Sequence, residues 1–481
     1  MPTLISAIGP VNNAVYASVV EKLTGVSFQQ RCEMTPQQFS DLSSQFYNNH
    51  MIMKSFTEYG TPDDRRYCAI WHSNPNNEKW VWMESLPYSS YQDFFNSQTT
   101  KPYWRAAYLA ISGDQKITAL FTDTDVGKWQ AAHGMDKASF ISKHNSFTAA
   151  GLQLMLLQAG GTGSNTRFAA LWSALGRPGA RQWRATGQTS GFKNNNDATA
   201  QVDGLMKSFM QVTGVRQAQI AIGKNGHVLM ERAYSWSEPT RPTTQPSDLF
   251  LLASISKMFC EAAIQSLFDS GKLSPSQKVF QLPGYPWQGS SPPADARLND
   301  ITVQQLLDHR GGFNRDASGS PGDVVFEMRQ ISQKLGSNLP PSIQDFVAYM
   351  RGFRLDFTPD TESQYSNVGY VILSAVVEHI SGQKYFDYLK STVLAGNYDV
   401  RMWQTDPSFH VGDRVTQESS SVGLSALHPN SNALVAAIFG GDGMYKETAV
   451  GPSSLAASAT TLVRFLNNHG MSSFFPLPTS H

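Results

Sequence analysis

A chain of 481 residues is too long for one ordinary domain, and its 38 basic and 38 acidic side chains leave no net charge. Neutrality without basic blocks argues against nucleic acid or an anionic membrane as partner, and no apolar run approaches the roughly 20 residues that span a bilayer. With 41% apolar residues, enough for sizeable cores, the sequence reads as two or three globular domains.

The N-terminus, Met1-Pro2-Thr3-Leu4-Ile5, lacks the charged and apolar stretches of a signal peptide. Further on, a unit repeats. Arg66-Tyr67-Cys68-Ala69-Ile70-Trp71 returns as Arg167-Phe168-Ala169-Ala170-Leu171-Trp172, with Ile117-Thr118-Ala119-Leu120-Phe121 between them, a period of about 50 residues. Phe28, Trp80 and Trp129 each precede a second aromatic, Phe39, Tyr91 and Phe140, by the same interval. Each unit opens with a turn and cap (Thr35-Pro36, Pro87-Tyr88, Asp136-Lys137) that starts a short amphipathic helix. β-type segments follow, Met51 to Phe56 and Tyr67 to Trp71, around the polar turn Gly60-Thr61-Pro62-Asp63-Asp64. Helix plus hairpin is the expected unit, its aromatics forming a shared core. Tyr16-Ala17-Ser18-Val19-Val20 with Phe28 matches only the back half of a unit, so the chain is expected to begin mid-repeat, and a missing N-terminal segment would explain the absent leader.

Three cysteines, Cys32, Cys68 and Cys260, are too few for a disulfide framework. Cys32 and Cys68 could bridge; buried free thiols are the expected state. Neither Cys-x-x-Cys nor His-Glu-x-x-His occurs, so no metal site is expected. Gly187 to Thr199 is polar and turn-rich and reads as a linker. The domains are placed at 1–187 for the repeats, 188–200 for the linker and 201–481 for the second domain, with the boundary near residue 195.

In that second domain, Val202 to Val212 suggests a helix, and Gln219 to Met230 a β-hairpin around Asn225-Gly226. Next comes Phe250-Leu251-Leu252-Ala253-Ser254-Ile255-Ser256-Lys257, running into an apolar helix that ends at Gly271. Ser254 and Lys257 are three apart and share a helix face. A serine hydroxyl needs a base beside it, and a lysine amine serves once burial lowers its pKa. The helix start also offers N–H groups to a developing oxyanion. Two other Ser-x-x-Lys spacings occur. Ser190 and Lys193 lie in the linker, and Ser381 and Lys384 flank Gly382 in a helix-ending turn. Only the middle one has a downstream partner, Tyr365-Ser366-Asn367, again a loop leading into an apolar helix. A second Tyr-x-Asn, Tyr47 to Asn49, falls among the repeats.

Ser254-x-x-Lys257, Tyr365-x-Asn367 and the intervening Ile301-Thr302-Val303-Gln304-Gln305-Leu306-Leu307-Asp308-His309-Arg310-Gly311-Gly312 resemble the class C β-lactamases, D-alanyl-D-alanine peptidases and related esterases, over roughly residues 200 to 468. The repeats ahead of them narrow the resemblance to the fungal polyglycine hydrolases, secreted endopeptidases that cut glycine-glycine bonds in the polyglycine linker of plant class IV chitinases. The resemblance implies an α+β chain: tandem repeats, then a β-lactamase-like α/β domain. It implies that Ser254 attacks the carbonyl and becomes an acyl-enzyme. Lys257 and Tyr365 share the general-base role, which of them is the base being left open. Asn367 positions Lys257 and the substrate amide, and the Ser254 N–H supplies half the oxyanion hole. No cofactor is implied. The partner is a protein substrate, a glycine-rich linker of a plant chitinase, and the chain is expected to be a secreted monomer.

Such families carry a third element, Lys-Thr-Gly or His-x-Gly, on a strand that would fall past His481, so the domain is expected to be truncated at its C-terminus and impaired in activity. His469-Gly470 reads as a frayed end rather than that motif. Two other readings stand beside the endopeptidase. One is an esterase or small-amide hydrolase with the repeats as bystander; the other is a catalytically impaired homologue whose repeats bind a partner.

Overall fold

The computed structural model describes residues 1–284, 293–317 and 323–469. The tail after His469, including the Gly470 of the expected frayed end, lies outside them. Two compact units divide the chain. One comprises Met1–Arg184, Ala200–Ala218 and Tyr234–Pro242; the other comprises Ala185–Thr199, Gln219–Ala233 and Thr243–His481. Among the described residues no helix is long and apolar enough to cross a membrane.

The first unit opens with an antiparallel pair, β1 (Pro2–Ile8) and β2 (Val15–Val20). Three repeats follow. They are β3 (Phe28–Met34), α1 (Pro36–Asn48), β4 (Met51–Thr61) and β5 (Asp64–Ser73); β6 (Trp80–Leu86), α2 (Tyr88–Thr99), β7 (Arg105–Ile111) and β8 (Ile117–Thr122); and β9 (Trp129–Met135), α3 (Lys137–Ala149), β10 (Gln153–Gly160) and β11 (Arg167–Ser173). Each forms a three-stranded sheet with its last strand in the middle: β3-β5-β4, β6-β8-β7 and β10-β11-β9.

The expected hairpin is therefore extended by a strand ahead of the helix. Its sequence, Phe28-Gln29-Gln30-Arg31 in the first repeat, is too polar to announce it, because it is a half-exposed edge strand. The repeats share backbone as well as core. A left-handed residue precedes the end of each first strand (Glu33, φ 58°; Ser85, φ 47°; Gly134, φ 65°). The pairing also slips at Met53/Ser55, Ala106/Tyr108 and Leu154/Leu156, a bulge at one place in every unit.

Trp71, Phe121 and Trp172 are buried, as the core reading expects, whereas Phe28 is exposed. Thr35 caps α1 through a capping box with Gln38, Pro36 takes the first helical position, and Asp136 caps α3 from its side chain.

One expectation is overturned: Cys32 and Cys68 form a disulfide. The pair sits on adjacent strands β3 and β5, where Arg31 faces Ala69. Without β3 in view, nothing in the spacing brought the two thiols together.

The segment read as a linker is structured. β12 (Gln182–Thr189) ends within it and α4 (Asn195–Thr213) begins within it, where the Asn194 side chain accepts from the N–H groups of Asn196 and Asp197. Asn194 thus acts as a helix start, and the chain does not pass once from one unit to the other near residue 195 as expected.

The expected hairpin is β13 (Gln217–Lys224) and β14 (His227–Ser237), of which Gln219–Ala233 belongs to the second unit, with Asn225 (φ 50°) and Gly226 (φ 83°) both left-handed as a tight primed turn requires. The apolar helix is α5 (Lys257–Asp269), followed by Gly271 at φ 68°. A second apolar helix, Asn367–Ser381, closes on the left-handed Gly382. Phe259, Ala263, Ile264 and Leu267 of α5 pack with Val371, Ala375 and Val376 of that helix in one core. Three short strands, Phe250–Leu251, Leu455–Ala457 and Val400–Met402, lie beside it, with Leu455–Ala457 in the middle.

Candidate active site

Ser254 stands on one turn of 3-10 helix, Ala253–Ser256, that runs straight into α5. The residue before it, Ala253, is left-handed (φ 47°), a conformation that costs a non-glycine residue about 1 kcal/mol or more and turns the chain sharply just ahead of the hydroxyl. Ser254 is exposed and Lys257, one turn on, is buried. Two bonds tie this turn to the strand Leu455–Ala457. The Leu252 N–H donates to the Leu455 carbonyl at 2.8 Å, and the Leu455 N–H donates to Ser256 Oγ at 3.1 Å. The same connection carries the Pro452 carbonyl to Lys257.

The Tyr-x-Asn segment is built by its middle residue. Ser366 caps the helix Asn367–Ser381, accepting from the Gly369 N–H at 3.1 Å, which sets Tyr365 just outside the helix and Asn367 at its first position. The Ser366 N–H in turn donates to His309 Nδ1 at 3.2 Å. That bond requires an unprotonated Nδ1 and so fixes the proton of the neutral ring on Nε2. His309 packs 4.8 Å from the Tyr365 ring and 5.2 Å from that of Tyr370. Arg315 donates its backbone N–H to the Tyr365 carbonyl and lays its guanidinium 5.1 Å from the Tyr365 ring.

All four residues singled out in the sequence come together. Ser254 Oγ and Tyr365 Oη are 2.6 Å apart. Lys257 Nζ donates to Tyr365 Oη at 2.6 Å, to Asn367 Oδ1 at 2.8 Å and to the Pro452 carbonyl at 3.0 Å, and lies 3.5 Å from Ser254 Oγ. An ammonium has three protons, and three close oxygens receive them. The phenol oxygen alone is within short reach of both the hydroxyl and the amine.

Burial drives Lys257 down to about 8, with the Arg315 charge adding to it while Asp323, Cys260 and Glu261 oppose it. Burial, then the Lys257 charge, lowers His309 to about 4, so its ring is neutral near pH 7. Asp323 and Glu261 both lie above the usual carboxylate range, again chiefly through burial. Such a cluster can take a proton from a serine, hold it between phenol and amine, and return it to a leaving group.

Four further groups were not singled out from sequence. His309 lies inside the segment that carried the resemblance but was given no role. Arg315 and Asp323 flank a stretch without a periodic pattern. The Pro452 oxygen is backbone, and no side-chain type announces it. Among the described residues, no three His, Cys, Asp or Glu side chains gather as a metal centre would need.

The β-lactamase family profile matches residues 202–474, more than half of the chain. The chain belongs to the beta-lactamase family. A second profile, "Polyglycine hydrolase-like, structural repeat", matches residues 25–74 and 126–174, the first and third repeats, while the repeat between them has the same element order and sheet order. Penicillin-binding protein 4* of Bacillus subtilis is 31% identical over 191 residues, 38% of this chain and 37% of that protein. Protein flp of Staphylococcus aureus (strain N315) is 25% identical over 201 residues, 41% and 37% of the two. The chain thus spans less than two-fifths of the length of these relatives. Among solved structures, the octameric penicillin-binding protein homologue from Pyrococcus abyssi is 19% identical with a TM-score of 0.39, covering 56% of this chain and 55% of that one. The D-amino acid amidase from Ochrobactrum anthropi SV3 complexed with L-phenylalanine is 18% identical with a TM-score of 0.40, covering 56% and 68%. The fold is α+β, with N-terminal repeats and a β-lactamase-like domain of the serine hydrolase family.

Proposed function

We propose that this protein is a secreted endopeptidase that cuts glycine-glycine bonds in the polyglycine linkers of plant class IV chitinases through an acyl-enzyme on Ser254. The observation that carries the hydrolase reading is the triangle of Ser254, Lys257 and Tyr365. Its 2.6 Å edge between Ser254 Oγ and Tyr365 Oη, against 3.5 Å to Lys257 Nζ, favours the phenol oxygen as immediate acceptor of the serine proton, with Lys257 behind it as the reservoir. Asn367 orients the amine. The exposed serine suits a polymeric substrate, since a glycine run has no side chains to exclude. Support for the linker as substrate comes from the polyglycine hydrolase-like repeats ahead of the domain. The Cys32–Cys68 disulfide supports an oxidising, extracellular destination.

The test is incubation with a polyglycine-linked class IV chitinase and, in parallel, with a short-chain nitrophenyl ester. Cleavage within the glycine run, abolished by Ser254→Ala, is expected. Ester hydrolysis with an intact linker would make the protein an esterase. Neither reaction, together with no labelling of Ser254 by a serine-directed phosphonate, would leave a binding protein.

A further inference from the structure

Asn367 receives a proton from Lys257 on one side and gives one away on the other: its Nδ2 donates to Asp323 Oδ2 at 2.7 Å. An amide can be turned end for end at almost no cost in shape, so its orientation is decided by its neighbours alone. While Lys257 is an ammonium, both neighbours ask for the same arrangement, because the ammonium only donates and the carboxylate only accepts. Once Lys257 loses its proton the agreement ends. A neutral amine has a lone pair, and the Asn367 NH2 group could turn to donate into it. That would occupy the orbital that must take the proton arriving from Ser254 through Tyr365. Asp323 is the group that prevents the turn, since a reversed amide would set its carbonyl oxygen against a carboxylate. Among the hydrogen bonds to the Asp323 carboxylate, that from Asn367 outweighs that from the Val325 N–H.

We propose that Asp323 is a positioning residue that holds the Asn367 amide with its NH2 away from Lys257, reserving the neutral amine's lone pair for the Ser254–Tyr365 proton. The inference rests on the reading of Ser254 as the acylated nucleophile. The charged and titratable groups facing Lys257 are Tyr365 and Tyr370, whose rings lie 4.7 and 5.3 Å from its Nζ, together with Asp323, Cys260, Glu261, Arg315 and His309. Of these, Asp323 opposes the effect of burial most strongly.

Two substitutions in the full chain separate charge from orientation. Asp323→Asn keeps an oxygen that can accept from Asn367 while deleting the charge. Asp323→Ala deletes both. The readout is the rate at which a fluorophosphonate labels Ser254 across pH 6 to 10, which needs no knowledge of the natural substrate. For Asp323→Asn the midpoint is expected to move to lower pH because a negative charge near the ammonium is gone, and the plateau to fall less than for Asp323→Ala, because the new amide can accept from Asn367 but can also turn with it. For Asp323→Ala the plateau is expected to fall at least about tenfold, a fraction of what a well-placed base contributes. A folded Asp323→Ala with the parent's plateau would overturn the proposal. Should that variant fail to fold, Asp323→Leu decides: close in size and unable to accept from Asn367, it is expected to lower the plateau as Asp323→Ala would, and a plateau equal to the parent's overturns the proposal. If the parent itself is not labelled at Ser254, it is the hydrolase reading that fails, which is a separate result.

Discussion

Lys257 is useful as a base only when neutral, and burial brings its ionisation down to about pH 8. Labelling of Ser254 should therefore rise with pH to a midpoint near 8 and level off above it. Lys257→Arg keeps a charge that cannot be shed, and should lower the rate at least about a hundredfold across that range. A flat profile from pH 6 to 9 would remove Lys257 from the proton path. His309 makes a second prediction, on stability. Its folded-state pKa of about 4 lies below the ordinary 6.5, so between those limits the unfolded chain takes up a proton that the folded chain refuses. Stability is full above pH 6.5 and declines as the pH falls toward 4. His309→Asn tolerates the left-handed backbone (φ 59°) and can accept from Ser366, so it should flatten that acid-side decline in melting temperature measured at pH 4.5 against pH 7. At this scale, sequence revealed what side-chain chemistry and capping reveal. Ser254, Lys257, Tyr365 and Asn367 were legible because reactive residue types sit at the openings of two apolar helices. Asp323 and the Pro452 carbonyl were not, because their part in the site depends on how the chain returns through space.

Elements with a chemical start signal were the readable ones. Thr35, Pro36 and Asp136 mark α1 and α3, and Asn225-Gly226 marks the hairpin, since a cap or a primed turn admits few residue types. The first strand of each repeat went unread. β3 is polar and half-exposed, so alternation is weak, and the residue that bends it is Glu33 in one repeat, Ser85 in the next and Gly134 in the third. Missing β3 also hid the disulfide. Cys32 and Cys68 close a segment of 36 residues, for which loss of chain entropy in the unfolded state stabilises by about 3 to 4 kcal/mol. Reduction, or Cys32→Ser, should lower the denaturation midpoint of the repeat unit accordingly, read from the fluorescence of buried Trp71 and Trp172 in urea. An unchanged midpoint under reducing conditions would show that the bridge does not form in solution.

Across the whole molecule, a division into repeats and a hydrolase domain was evident from composition and motif, but not the path between them. The repeat unit reclaims residues 200–218 and 234–242, and both returns carry buried charge. Arg216 reaches Asp123 at 3.1 Å and Glu238 at 3.4 Å, Arg181 reaches Asp123 at 3.3 Å, and Arg241 reaches Glu238 at 2.7 Å. Arginines and acids scattered over more than a hundred residues give no periodic signal, so this network left no mark in the sequence. Cutting the chain at residue 184 strands Asp123 and Arg181 without Arg216 and Glu238. Removing one partner of a buried ion pair typically costs about 3 to 5 kcal/mol. A fragment ending at 184 should thus unfold at markedly lower urea than one ending at 242, and equal midpoints would show the network to be dispensable.

The chain crosses between the units after residues 184, 199, 218, 233 and 242. During synthesis, then, the repeats cannot finish folding when their last repeat leaves the ribosome, because Asp123 and Arg181 wait for residues 216 to 241 to emerge. By that point the nascent polypeptide has already laid down the hairpin of the hydrolase, so the repeats complete themselves only after the second domain has begun to emerge.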